Sequence, residues 1–347
     1  MEEIRVNRLP MLTYRYLHVN DSPYIFKEPA QVAEPVFSDR KYVRKGGQLP
    51  AGFKGASEET LLASARGKSY TITIPENAEA ELTISVMSDE SHPDFAGQFV
   101  FVLEKGSRLR LLWRYQGSGS GAVYSTAAFY HLKEAAQLSV SHLETGLAGA
   151  SLYEQRNVLA EKEAQADFVS AELGGEKVIV HSYGRLDGEG SGMNESALYA
   201  AGGSQSLDLF YHIDHVGKKT AANIDVKGAL SGHAKKVFRG TLDFKRGCSG
   251  SAGDEGDYAI QLSPTTKNIS LPLLLCTEDD VSGNHASSAG QLDGNTIYFL
   301  MARGFSLEEA RRIVVEALIR PLIDRMDESI REEVLTAVRE KLDAKEK

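Results

Sequence analysis

The stretch DDVSGNHASSAG, from Asp279 to Gly290, gathers carboxylates and an imidazole directly after the apolar run ISLPLLLCTE. Two adjacent carboxylates, Asp279 and Asp280, precede a single imidazole, His285. An imidazole titrates near neutrality, so beside carboxylates it suits a general base or a metal ligand. The stretch is also what a polar turn looks like, with the carboxylates in solvent and the histidine hydrogen-bonded locally.

Other chemistry-bearing patterns fall away. GSGSG from Gly117 puts Gly119 where a nucleophile elbow needs serine, and GCSGS from Gly247 ends in serine where it needs glycine. Gly67, Lys68 and Ser69 resemble the end of a phosphate loop, but Leu62 stands at the first glycine and the order is helix then strand. His212 and His215 lie an odd number of residues apart in a predicted strand, which sends them to opposite faces, one expected buried and one exposed. LDGEGSGMN from Leu186 reads as a flexible connection and EKEAQADF from Glu161 as a solvated helix face or strand approach. The only cysteines, Cys248 and Cys276, are too few and too far apart for a disulfide framework, zinc knuckle or CxxC pair. Cys276, beside Leu273 to Leu275, is expected buried; Cys248, after a glycine in a turn, is expected more exposed.

At 347 residues, 42% of them hydrophobic, the chain can bury a sizeable core. A net charge of −9, with no basic run interleaved with aromatics, argues against nucleic acid. The start, MEEIRVNRLPMLTYRYL, lacks the cations and apolar segment of a signal peptide, and no apolar run is long enough to span a bilayer, so a soluble, cytoplasmic protein is expected.

Three segments would position these residues. Residues 1–68 hold five of the ten prolines and no sustained period, which predicts an irregular lead-in with one short helix around Ser57 to Arg66. Residues 69–300 alternate apolar and polar in short runs such as YTITIP, GQFVFVLEKG and SLDLFYHID, which predicts a mainly β core, interrupted at most by a helix around Leu152 to Ala166. Alternation alone leaves sandwich, barrel and solenoid open. Residues 301–347 switch period: Ser306 and Glu309 form a capping box, and Leu307, Ala310, Ile313, Val314, Ala317 and Leu318 recur at helical spacing until Pro321. A second helix begins near Asp327. Together they predict a small helical domain.

HVGKKTAANIDVKGALSGHAKKVFRGTLDFKRG, from His215, and LPLLLCTEDDVSGNHASSAGQLDGNTIYFLMARGFSLEEARRIVVEALIRPLID, from Leu271, resemble in order the motifs of the SufB/SufD family. Members are scaffold subunits of the SUF iron–sulfur cluster assembly system. RLPMLTYRYLHVND is similar to the opening of short SufD-type chains, and Ala222 stands at a usual serine. The resemblance is continuous over roughly the last 135 residues and weaker across the middle.

The resemblance implies a right-handed parallel β-helix core followed by a small C-terminal helical domain, and because solenoids need capped ends the helices are expected to cap it. It implies a non-catalytic chain, with His285 at a subunit interface where a transient Fe–S cluster assembles. No cofactor would be held stably by this chain alone, and His285 would be its metal ligand. Gly283 replaces the family's cysteine, Asn284 and Ala286 replace the glutamates of SufB, and Asp257 falls where SufB has a further cysteine, so the chain is SufD-like. The implied partners are a SufB-like subunit, or a second copy, and the ABC-type ATPase SufC. SufC would dock on the stripe Leu307, Ala310, Ile313, Val314, Ala317, Leu318 and Pro321, ending near Ile323. The competing reading is a solenoid enzyme acting on a polysaccharide or acyl donor, with His285 as general base oriented by Asp279 or Asp280.

Overall fold

In the computed structural model, which describes residues 3–12, 15–117 and 121–343, the chain opens with five short strands, β1 (Glu3–Val6), β2 (Ser22–Ile25), β3 (Val32–Ala33), β4 (Val36–Phe37) and β5 (Val43–Lys45). Helix α1 (Glu58–Ser64) follows, started by Ser57, whose hydroxyl accepts from the Thr60 amide as the short-helix expectation requires. The lead-in is thus not irregular throughout. Ser118, Gly119 and Ser120 of the GSGSG stretch lie outside the described residues.

Sixteen longer strands come next: β6 (Lys68–Ile74), β7 (Glu79–Met87), β8 (Asp94–Leu103), β9 (Arg108–Gln116), β10 (Val123–Leu132), β11 (Gln137–Thr145), β12 (Ser151–Ala160), β13 (Gln165–Glu172), β14 (Lys177–Leu186), β15 (Gly192–Ala201), β16 (Ser206–His215), β17 (Ala221–Leu230), β18 (Lys235–Phe244), β19 (Ser251–Gln261), β20 (Lys267–Cys276) and β21 (Val281–Gly290). Each of β8 to β19 pairs in parallel with the strand two before and two after it. Even-numbered strands form one sheet and odd-numbered strands the other, so the chain winds as a β-solenoid of about eight turns.

Side chains that alternate along each strand therefore stack in columns from turn to turn. One inward column runs Tyr70, Phe99, Ala128, Arg156, Ser182 and Tyr211. Stacked rings such as Phe101 on Tyr130, 4.6 Å apart, fill the space between the sheets. The turns are tight: a Cβ on Gly188 would lie 1.9 Å from the Lys162 amide nitrogen on the turn below, so LDGEGSGMN is a close-packed corner and not a loose connection. The helix expected around Leu152 to Ala166 is instead β12 and the start of β13.

The two ends of the solenoid differ. β4 and β5 pair antiparallel with β7 and β6 and cover the first turn. β20 and β21 form the last turn, and each is hydrogen-bonded to another described strand along one edge only. Nearly every residue of β21 is exposed.

Three helices close the chain: α2 (Gly294–Met301), which sequence patterning had not separated from the β core, α3 (Leu307–Ile323) and α4 (Arg331–Asp343). Ser306 caps α3 with Glu309, as expected. The helices do not cap the solenoid's end. Ile319, Leu322, Ile323, Met326, Val334, Leu335 and Val338 pack on Leu112, Leu143, Val169 and Leu198, which are outward-facing residues of the odd-numbered sheet, so α3 and α4 cover its flank. No helix of the described residues is long and apolar enough to cross a membrane.

Candidate functional site

His285 is not in a turn. It sits mid-strand in β21, exposed, opposite Glu255 of β19, and Glu255 follows Ile224 of β17 in the same column. Ile224 and Glu255 are buried, so His285 occupies an inward-facing register on a turn that has nothing stacked above it. A groove of about 450 Å³ runs beside it, between Asp225, Lys227, Asp254 and Tyr258 of the sheet and Leu318 of α3.

Asp279 and Asp280 form the corner before β21. The carboxylate of Asp280 accepts from the Ser249 hydroxyl at 2.6 Å and its carbonyl accepts from the Gly250 amide at 2.7 Å. Its role there is to tie one corner to the corner below. Behind His285 the last turns bury charge: Lys236 pairs with Asp257, both buried, and Glu255 lies against Gly240, where a Cβ would sit 1.8 Å from its carboxylate oxygen. Burial, then Asp257, pushes the Glu255 carboxyl up to about 8. Asp257 is the position the family resemblance aligns with a SufB cysteine, and here its carboxylate is an ion-pair partner.

The cysteines reverse the sequence expectation. Cys276 occupies an inward register on β20 but is exposed, because no further turn covers it. Cys248 is fully buried in the solenoid core, and burial pushes its thiol up. The two histidines of β16 do face opposite ways, yet both are buried. His215 lies inside, stacked 4.4 Å from Phe244, with its pKa pushed down to about 4 by burial. His212 faces outward, 2.8 Å from Asp214, under cover of the N-terminal lead-in, whose Lys54 lies over the neighbouring Tyr183 ring.

Along the α3 stripe, Ala310 is buried, Leu307, Ile313, Val314 and Leu318 are half-buried, and Ala317 and Pro321 are exposed. The residues that anchor α3 to the solenoid are Ile319, Leu322 and Ile323, one position round the helix, and Val315 is also buried. Beside them α2 presents Tyr298 and Phe299, 75% and 54% exposed, with the Arg303 guanidinium over the Phe299 ring.

Sequence reasoning missed a polar row inside the middle turns: His142, Glu144, Glu154, Arg156, Glu172 and Glu195. Its signal is present in QLSVSHLE, where Leu138, Val140, His142 and Glu144 share one face, but only the known register shows that this face points inward.

The family model for the SufBD core domain of the SUF system for FeS cluster assembly matches residues 85–318. The chain is 22% identical over 275 residues to the iron–sulfur cluster assembly protein SufD of Bacillus subtilis, covering 78% of this chain and 63% of that one. It is 26% identical over 237 residues to an iron–sulfur cluster assembly SufBD family protein of Mycobacterium leprae, covering 66% and 60%. It is 27% identical over 194 residues to one of Mycobacterium bovis, covering 53% and 49%. The matched region thus spans less than two thirds of these relatives.

Proposed function

Because the chain belongs to the SufBD family of iron–sulfur cluster assembly proteins, we propose that it is a non-catalytic, SufD-like scaffold subunit that pairs through the open end of its solenoid. The observation that carries this reading is the contrast between the ends. The first turn is covered by β4 and β5, whereas the last leaves β20 and β21 with free strand edges and His285 exposed on an inward register. Free edges of this length invite pairing with another strand, and a second solenoid end supplies one.

In such a pair His285 faces the partner. An imidazole is an occasional ligand of iron–sulfur clusters, which otherwise take thiolates. With Gly283 at the family's cysteine position, this chain offers a minority of the ligands, so a SufB-like partner supplies the rest of a transient cluster. A second copy of this chain is the poorer partner for that purpose. The exposed apolar surface of α2 and the outer edge of α3 suit a SufC-like ATPase. The cytoplasm, where that ATPase finds nucleotide, is the compartment this reading requires.

The test is co-expression of the chain with the SufB-like and SufC-like proteins of its own source, followed by isolation of the complex and measurement of iron and sulfide. Recovery of a ternary complex that assembles a cluster supports the reading. A chain that stays alone in the presence of both proteins refutes it.

A further inference from the structure

Six ionisable side chains face one another inside the middle of the solenoid, on four strands drawn from both sheets. β11 contributes His142 and Glu144, β12 Glu154 and Arg156, β13 Glu172 and β15 Glu195. Glu144 and Glu172 are direct ladder partners, an arrangement that places like charges side by side. Arg156 bonds Glu154 on one side and Glu195 on the other, and Ser182 donates to the second Glu195 oxygen at 2.8 Å. That accounts for Glu195 and half of Glu154.

The remainder is unsatisfied. Both ring nitrogens of His142, both carboxylate oxygens of Glu144 and of Glu172, and the second oxygen of Glu154 are buried without a hydrogen-bond partner. His142 Nδ1 and Glu154 Oε2 approach to 2.8 Å, without hydrogen-bond alignment. Four glutamates face one guanidinium. With all four ionised and His142 neutral, two negative charges would be left over in a closed interior even when Lys341, which reaches toward Glu144 from α4 while donating to Gln205 at 2.7 Å, is counted. Buried charge without compensation is among the costliest arrangements a fold can hold.

We propose that His142, Glu154 and Glu172 form a binding site for one divalent first-row transition metal enclosed within the solenoid, with Glu144 beside it. One ligand atom from each of the three lies within 4.8 Å of the others. One imidazole and two carboxylates without thiolate suit Zn²⁺, Fe²⁺, Mn²⁺ or Co²⁺ and disfavour Cu⁺. A double positive charge balances the excess, and metal bonds satisfy one orphaned atom of each of the three residues.

A second group, His212, Asp214 and Asp243, is as close-knit on the outer face of the even-numbered sheet. There Tyr183 and His212 bond Asp214, and Lys245 bridges Asp214 and Asp243, so the protein's own donors and cations already serve that group. The interior group lacks such cover, and that difference selects it. The inference does not depend on the scaffold reading.

The alternative balance is by protons, and it makes the opposite prediction. The full-length, tag-free chain is produced in medium supplemented with Zn²⁺, desalted in EDTA, and assayed for bound metal by mass spectrometry beside Glu172→Gln and Asp243→Asn. About one metal per chain is expected in the wild type and in Asp243→Asn, with at least a ten-fold loss in Glu172→Gln. Wild-type chain without metal would overturn the proposal, as would loss in Asp243→Asn with retention in Glu172→Gln.

Should Glu172→Gln not fold, Co²⁺-grown wild-type protein decides the matter. Its paramagnetic broadening is expected to centre on the methyls of Val140, Leu152 and Val158, which share the interior. Broadening centred on any other region would exclude the site.

Discussion

Glu255 and His285 are register partners on adjacent parallel strands, yet the first is buried and the second exposed. The ladder is continuous across them. What ends between them is the stacking of turns, and the consequences of that step can be measured.

The first concerns His285. Its side chain is exposed and supports no packing, so His285→Ala is expected to change the stability of the isolated chain by no more than about 0.5 kcal/mol. In the assembled complex the same change removes a ligand, and cluster formation should fall several-fold. Thermal denaturation of the chain and iron content of the complex check the two halves. A large loss of stability in the isolated chain would make the residue structural.

The second concerns Glu255. In the unfolded chain its carboxyl has the ordinary value of 4.5, and in the fold it is raised to about 8 by burial, then by Asp257. Between those values the folded chain holds a proton that the unfolded chain has released. Its contribution to stability is therefore complete below about 4.5 and is lost as pH rises to about 8. Glu255→Gln keeps the shape and removes the titration. At pH 9 the variant should be more stable than the wild type, by on the order of 1.4 kcal/mol for each pKa unit by which the fold raises the carboxyl. At pH 4 the two should differ little. Urea titrations at both values decide, and equal offsets at the two pH values would refute the raised carboxyl.

Much of this architecture was legible in the sequence, and the failures have one cause. Runs such as YTITIP and GQFVFVLEKG alternate because their inward positions fill an apolar interior. Where the interior is polar the signal fails. SLYEQRNVLA looked like the edge of a helix because Glu154 and Arg156 take inward positions. DDVSGNHASSAG looked like a turn because an uncovered last turn has no need of apolar residues, and Cys276 was expected buried for the converse reason. Alternation could not choose between sandwich, barrel and solenoid, since each buries every second residue. The family resemblance pointed to the β-helix, and the i to i+2 parallel pairing realises it.

The third prediction tests the buried ion pair of Lys236 and Asp257. Burial lowers the Lys236 ammonium, and Asp257 opposes that effect. Lys236→Met leaves Asp257 unpaired beside Glu255 in a closed interior, at a cost of about 3–5 kcal/mol. The double change Lys236→Met with Asp257→Leu removes the stranded charge as well and should recover most of the loss. Chemical denaturation of the three chains checks this. A single variant as stable as the wild type would show that water reaches Asp257.

The last prediction separates docking from folding at the C-terminal helices. Truncation from Phe305 is a poor test, because it strips Ile319, Leu322, Val334 and Val338 from Leu112, Leu143, Val169 and Leu198 and exposes the flank of the solenoid. At ~25 cal/mol per Å² of apolar surface returned to water, such a chain would lose stability for reasons unrelated to a partner. The surface free to bind lies elsewhere, on Tyr298 and Phe299 of α2 and on Ala317 and Pro321 at the outer edge of α3. Tyr298→Asp with Ala317→Glu places charge there without touching the buried anchors. Melting of the isolated chain should stay within the range of ordinary surface changes, about 0.5 kcal/mol. Co-purification with the SufC-like ATPase should fall at least ten-fold, because an apolar contact would have to bury two unpaired carboxylates. A doubly substituted chain that still retains the ATPase would move the docking surface away from α2 and α3, and would leave Tyr298 and Phe299 to another role.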